Sequence, residues 1–496
     1  MKKFLIFLLV LGTLAGLLSA CGSKKNPAPD NPASDQTTTP PQTDGPGFER
    51  ANYDREFHVL VNNENEHFDM KSDFIGAIDG NIVEQAVYRR TAACEDYLGI
   101  SVAYHEQNGA YNSGVIQELT NYIEADSCVY DMVAIGLNTG IRGQNISIFY
   151  NVLDMDTVNV ENDWWVQDTV EQVSMNGQLY FLTGDACTST YGYLGCVFAN
   201  LRVADDFQIG VDLYDLVNDG QWTLDAFMSL YRNVQRDADG VDGISPADVF
   251  GWANVSTGVR VMWSSCDMNL FLRDEVTEAF SLKTALDDRM LTFVDQLKAA
   301  YEQPNTFYFG DTVKADADNA FISDRCLFYT YYVFKARSFN ESDMTSPFAI
   351  LPLPKYNEEQ SDYISTNVSA YNALFFPSSI ENAALCGKVA EYMGWSGKRT
   401  VIPVYYDEFL KLRSTNKQEN IAMLDLIREH LRITPNELFG VIDDVIGYTA
   451  LTDRNVVGAE GIPAPFYSNP VSQWKKISGM ANGHLRAYIL KYYGQE

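Results

Sequence analysis

Three apolar runs, each separated from the next by a helical stretch, restrict the fold of this chain more than any other feature. The first is "REFHVLVNN", a β-branched and aromatic run that ends in polar residues. In "GNIVEQAVYRRTAACEDYLGISVAYHE", Ile82, Val83, Ala86, Val87, Ala93, Tyr97 and Leu98 follow helical spacing up to Gly99, and Ile100 to Tyr104 resume a strand. A second helix around Val115 to Ile123 leads into "VYDMVAIGLNTG", a buried strand running into a Gly/Asn turn. Strand, helix, strand, helix, strand predicts an α/β domain with a largely parallel sheet. Ligands of such sheets sit at the carboxyl ends of the strands, which points to Asn63, Glu64 and Asn65 after the first strand and to Asn138 and Thr139 after the third. Further on, "GQWTLDAFMSLYRNVQRD" predicts a helix capped by Thr223, with Leu224, Phe227, Met228, Tyr231 and Val234 as its buried stripe.

Ahead of these elements stands a segment of a different kind. Lys2 and Lys3 precede an apolar stretch from Phe4 to Leu18, which is too short for a membrane span, and the stretch closes in Leu18-Ser19-Ala20-Cys21. This resembles a bacterial lipobox: residues 1–20 would be a signal peptide and Cys21 the lipidated mature N-terminus. Residues 21–48 hold six of the 17 prolines and almost no apolar side chains before Phe48, the composition of an extended, disordered tether. The rest of the 496-residue chain is long enough for two domains. A formal charge of −30 argues against nucleic acid and anionic membrane surfaces as partners, and suits a neutral or cationic ligand. Beyond Cys21 the cysteines (94, 128, 187, 196, 266, 326 and 386) are scattered and form no CxxC. Lone cysteines in a large chain are usually core hydrophobes, although Cys187 and Cys196 could pair if their strands are adjacent.

The ordered set of segments is similar to the family 1 extracellular solute-binding proteins of ABC importers, whose relatives include the maltodextrin binders. The likeness runs from the lipobox through "DYLGISV", "YDMVAIG", "NDWWVQDTVEQVSMNGQLYFLTGD", "FANLRVADDF" and "YDLVNDGQWTLDAFMSL". It continues in "ADNAFISDRCLFYTYYVF", "FAILPLPKYN" and "SAYNALFFPSSIENAALCGKVAEYM". The resemblance implies a two-lobe, periplasmic-binding-protein-like (type II) α/β fold with crossover hinge strands. Those strands would be Gly177 to Gly184 and Asn367 to Phe376. Lobe 1 would combine residues 49–185 with 367–415, and lobe 2 residues 186–366 with 416–496. It further implies a monomeric receptor that is lipid-anchored at the outer face of the membrane, captures a carbohydrate and delivers it to ABC permease subunits.

A sugar site needs flat rings for C–H faces and polar side chains for hydroxyls, and this chain is 13% aromatic with seven tryptophans. On the resemblance, Trp263, Tyr331, Tyr332 and Trp474 would be the stacking residues. Glu64, Asn65, Asn138 and Asp267 would supply the polar contacts, while Trp164 and Trp165 look structural. The histidines are widely spaced and no HExxH, GxSxG, GxGxxG or P-loop pattern occurs, so no catalytic residue is expected. Two alternatives stay open, a surface glycoside hydrolase or lyase and a sensory sugar-binding subunit. No cofactor is expected, with one exception to weigh. In "DADGVDGISPAD", Asp237, Asp239, Asp242 and Asp248 imitate a calcium loop, but Val241 stands at position 5 and Asp242 at the glycine position. An acidic, solvated loop is the favoured expectation and a structural calcium the alternative.

Overall fold

A computed structural model describes residues 45–496, apart from 63–69, 108–112, 143–147, 168, 243–244, 309–313, 367–370, 411–416, 440–469 and 494–496. The predicted first motif forms as read. β1 (Arg55–Asn62), β2 (Ile100–Gln107) and β3 (Met132–Gly136) are mutually parallel, with β1 in the centre. The helix Ile82–Leu98 between β1 and β2 starts at a capping box made by Asn81 and Glu84, and stops where Gly99 turns left-handed (φ 61°). Ile82 is solvent-exposed rather than core, whereas Arg90, a polar residue on the same helix, is fully buried.

A larger sheet follows. It contains β4 (Gly195–Asn200), β5 (Gln235–Arg236), β6 (Val249–Asn254), β9 (Thr306–Tyr308), β10 (Cys326–Tyr332) and β11 (Phe348–Pro352), in the order β11-β4-β10-β6-β5 with β9 also on β6. Between β6 and β9 the chain forms a separate hairpin, β7 (Phe271–Arg273) and β8 (Phe280–Leu282). The last strand, β12 (Asn372–Phe375), returns to the first sheet and runs antiparallel beside β3. The molecule is therefore two α/β lobes, each with its own sheet, and the chain passes between them more than once.

The helix predicted after Thr223 is capped by that side chain as expected but ends at Tyr231. Val234 is buried, yet outside the helix, because the next two residues pair with β6 as β5. Much of the aromatic content is core. Phe227 meets Trp222, Trp252 and Phe328 at centroid separations of 5.8, 5.2 and 5.0 Å, and Trp222 and Trp252 are fully buried. Cys187 and Cys196 are both buried free thiols, as are most of the other described cysteines.

The expected crossovers meet at the edge of the first sheet, although residues 367–370 of the second lie outside the described residues. Leu182 and Leu374 exchange a pair of backbone hydrogen bonds of 3.0 and 2.9 Å, so the outgoing and returning chains are paired where they leave lobe 1. Trp164 and Trp165 brace this point. Both indole N–H groups donate to the buried Glu391 carboxyl (2.9 and 3.0 Å), which also accepts from Asn162 and from the Asn159 N–H. Burial pushes the Glu391 carboxyl up, against those hydrogen bonds. Gly184 stands immediately before the exit with φ 153°, and a Cβ there would lie 2.1 Å from the Trp164 carbonyl oxygen. Only glycine satisfies both constraints. Gly184→Ala is expected to cost more than about 2 kcal/mol of unfolding free energy in a urea titration; a cost near zero would contradict the packing described.

Candidate functional site

The seam between the lobes is organised around Asp73, which is buried between β1 and the helix Ile82–Leu98. One oxygen of its carboxyl accepts from the Thr188 hydroxyl (2.6 Å) and the Ser189 N–H (3.0 Å). The other accepts from the Ser189 hydroxyl (2.5 Å) and the Asn372 side-chain amide (2.9 Å). Ser189 Oγ in turn accepts the Asn372 N–H at 3.0 Å. Arg90 closes the cluster by donating to the Asp73 carbonyl (2.5 Å) and to the Ala186 carbonyl (2.7 Å), which explains its burial. The chain just beyond the expected outgoing crossover (Ala186, Thr188, Ser189) and the returning one (Asn372) thus meet on one side chain of lobe 1. Burial makes each of these bonds expensive to break, because an orphaned partner cannot turn to water. None of these residues was singled out in the sequence, although the hydroxyl-rich run Thr188-Ser189-Thr190 beside the expected crossover was a usable signal.

A second cluster ties the outgoing crossover to the helix Lys417–Glu429, which packs on β11 of lobe 2. The Tyr191 hydroxyl donates to Asp185 (2.6 Å), and the Arg428 guanidinium lies 3.9 Å from the same oxygen. That guanidinium also lies over the rings of Tyr191 and Tyr406.

The expected ligand residues scatter. Tyr332, at the end of β10, sits with Tyr193 (5.3 Å), Tyr331 (5.0 Å) and Phe334 (5.8 Å) in one aromatic group. Tyr331 also stacks on Tyr329 (5.6 Å, 14°) beneath the Lys335 ammonium. Trp263 lies in the helix Ser256–Ser265 after β6, with Phe293 edge-on at 5.4 Å and no acceptor for its buried indole N–H among the described residues. Asp267 follows that helix, exposed and left-handed (φ 55°). Trp474 is elsewhere: on the helix Pro470–Tyr493 it packs at the β7–β8 hairpin and donates to the Lys283 carbonyl (3.1 Å). Asn138 is half-buried in the short helix Leu137–Arg142 directly after β3, where its Oδ1 accepts from the Thr139 hydroxyl. Glu64 and Asn65 lie outside the described residues, as does Cys21. The structure therefore joins Tyr331 and Tyr332, adds Tyr193 to them, and leaves Trp474 committed to another contact.

The acidic loop brings three of its four candidate acids together. Carboxyl oxygens of Asp237, Asp239 and Asp248 converge within 4.8 Å of one another, and Asp242 is not among them. The loop's own donors occupy these carboxyls: Gly240 N–H on Asp237, Val241 N–H and the Ser245 hydroxyl on Asp239, and the Ala238 and Ser245 N–H groups on Asp248. The Ser245 and Val241 bonds hold the Asp239 carboxyl below the usual carboxylate range. Three acids at this spacing fit one hard cation, but the turn is also closed by hydrogen bonds alone.

Asp185 gives the seam a pH signature. Burial pushes its carboxyl from 3.8 up to about 6, while Arg428, the Tyr191 hydroxyl and Lys398 pull it down and Asp163 adds to the rise. The folded protein therefore holds this proton more tightly than the unfolded chain does between those two values. Stability contributed by the group is present below that window and is lost as pH rises through it. Relative to wild type, Asp185→Asn should gain stability on going from about pH 4 to about pH 7, by on the order of 3 kcal/mol in chemical unfolding. Parallel pH profiles for the two proteins would contradict this.

No protein-family model matches the sequence, and no curated protein matches it. The fold does match solved structures. One is the galacto-N-biose/lacto-N-biose I-binding protein of an ABC transporter from Bifidobacterium longum, with 10% identity over 89% of this chain and 98% of that one, at a TM-score of 0.54. Another is an ABC-transporter-associated binding protein from B. animalis subsp. lactis Bl-04 in complex with β-1,6-galactobiose, with 14% identity over 88% and 98% and a TM-score of 0.52. A solute-binding protein from Agrobacterium radiobacter K84 in complex with ribitol shares 8% identity over 88% and 100%, with a TM-score of 0.51. All three are binding proteins rather than enzymes, and at these identities what is common is the fold. This chain has the two-lobe α/β fold of the solute-binding proteins of ABC transporters.

Proposed function

We propose that this protein is a family 1 solute-binding receptor that captures a carbohydrate between its two lobes and hands it to an ABC importer without turning it over. The observation that carries the reading is the joining of both crossovers at one seam, through the Leu182–Leu374 pair and the Asp73 cluster. Such a seam lets two rigid lobes rotate about a fixed line, and a ligand that touches both favours the closed form. The solved relatives bind disaccharides and a polyol, which supports the same ligand class here. On this reading Tyr332 and Trp263 offer rings, and the Trp263 indole N–H offers a donor to a sugar hydroxyl. Asn138, at the carboxyl end of β3, faces the same role from lobe 1, with Glu64 and Asn65 proposed beside it.

Export and anchoring belong to the same proposal. Cys21 would carry the lipid, and the proline-rich tether would hold the receptor at the outer membrane face. Among the described residues no helix is long and apolar enough to cross a membrane.

The test is titration of the full mature chain against a panel of mono-, di- and oligosaccharides and polyols, read by tryptophan fluorescence and calorimetry. Saturable one-to-one binding of at least one glycan is expected, with no product formed on prolonged incubation. Trp263→Ala should weaken that binding about tenfold or more. Binding of peptides or metal ions in place of any glycan would overturn the ligand class, and glycan turnover would favour a hydrolase or lyase.

A further inference from the structure

Away from the seam, two imidazoles meet on the first sheet. His58 lies on β1 and His105 on β2, the edge strand. In the parallel register His58 stands opposite Ala103 and His105 opposite Leu60, so both rings rise from one face two positions apart. The small Ala103 side chain leaves room for the His105 ring to lean towards His58. His58 Nδ1 and His105 Nε2 are 3.0 Å apart, with ring centroids at 5.2 Å and planes at 41°. Both side chains are half-exposed, so solvent reaches the pair.

We infer that His58 and His105 form a binding site for a borderline divalent ion of the Zn²⁺, Ni²⁺ or Cu²⁺ type. Two imidazole nitrogens each about 2.1 Å from one metal lie about 3 Å apart when they occupy adjacent positions at a right angle, and about 3.4 Å apart in a tetrahedron. The observed separation already falls there. Imidazole selects these ions over calcium and magnesium, which prefer oxygen.

The surroundings supply the orienting group such a site uses. The Glu56 carboxylate lies 3.7 Å from His58 Nε2, on the same strand face, and favours the tautomer with its proton on that nitrogen. Nδ1 is then left bare and facing His105. Without the ion, His105 Nε2 donates its hydrogen to that bare nitrogen. With the ion, His105 carries its hydrogen on Nδ1 and both facing nitrogens become ligands, with water completing the shell. No net charge moves, and a protein of net charge −30 attracts the cation. Asp131, a buried carboxyl that accepts the His58 N–H, is not available as a ligand, since Arg55 and that N–H already occupy its oxygens. The Tyr130 ring stands edge-on to His105 at 5.3 Å and gives its hydroxyl to Glu118, which fixes one side of the pair.

This site is independent of the carbohydrate reading, and so is its test. The full mature chain, made without a polyhistidine tag, is titrated with Cu²⁺ and Zn²⁺ by calorimetry, and the Cu²⁺ form is examined by electron paramagnetic resonance. One equivalent bound with two coupled nitrogens is expected. His58→Gln and His105→Gln should each abolish that coupling, and Glu56→Gln should weaken binding about tenfold. Asp239→Asn, in the acidic loop, should leave it unchanged. Absence of nitrogen coupling in the wild-type spectrum would overturn the site even if a variant failed to fold. Undiminished binding in both histidine variants, or loss on Asp239→Asn, would overturn it equally.

Discussion

Buried at the seam, the Asp73 carboxyl accepts from Thr188, Ser189 and Asn372, which come from opposite directions of chain travel. A carboxyl this deep is tolerable only with its oxygens fully occupied. The hydroxyl and amide donors are equally committed, so the outgoing and returning chains cannot slide past each other without leaving buried groups unpaired. That requirement fixes where the two sheets stand at the seam, and it explains why Arg90 is drawn from a helix surface into the core. On the proposed function, freedom between the lobes comes from rotation about the paired crossovers, not from their separation.

The lobes also touch away from the seam. The helix Pro435–Phe439 packs on Leu137–Arg142 and Thr169–Val173. From the β7–β8 hairpin, Arg273 donates to the Glu171 and Ser174 carbonyls, and Glu278 accepts the Gly177 N–H. The hairpin contacts lie at or near the surface, whereas Leu438 of the helix Pro435–Phe439 is buried in the core. Together with the seam these contacts hold the two sheets in a defined arrangement.

The first sheet was legible in the sequence because its signals are local. Alternation in "REFHVLVNN", helical spacing from Ile82 to Leu98 and the Gly99 stop each need only neighbouring residues. The Thr223 helix shows the limit of that reasoning. Its cap was correct, but its end was set by β5 pairing with β6, a contact no local window contains. The tandem tryptophans at 164 and 165 look structural in the sequence, and their indoles converge on Glu391. The Asp73 cluster was nearly hidden for the same reason that β5 was: Asp73, Ser189 and Asn372 lie far apart in sequence, and the hydroxyl-rich run Thr188-Ser189-Thr190 was its one local signal. The aromatic candidates were weakly legible, because a ring that stacks on sugar and a ring that fills a core share one side-chain chemistry. Tyr193 joins Tyr332 only because β10 lies beside β4.

On the proposed function, the two lobes hinge at this seam around a bound carbohydrate. Small-angle X-ray scattering of the full mature chain, with and without a saturating glycan identified by titration, tests it most directly. The radius of gyration is expected to change on binding, with the shape of each lobe preserved, as rotation about a fixed seam requires. A glycan bound at one equivalent with an unchanged scattering profile would contradict the hinge.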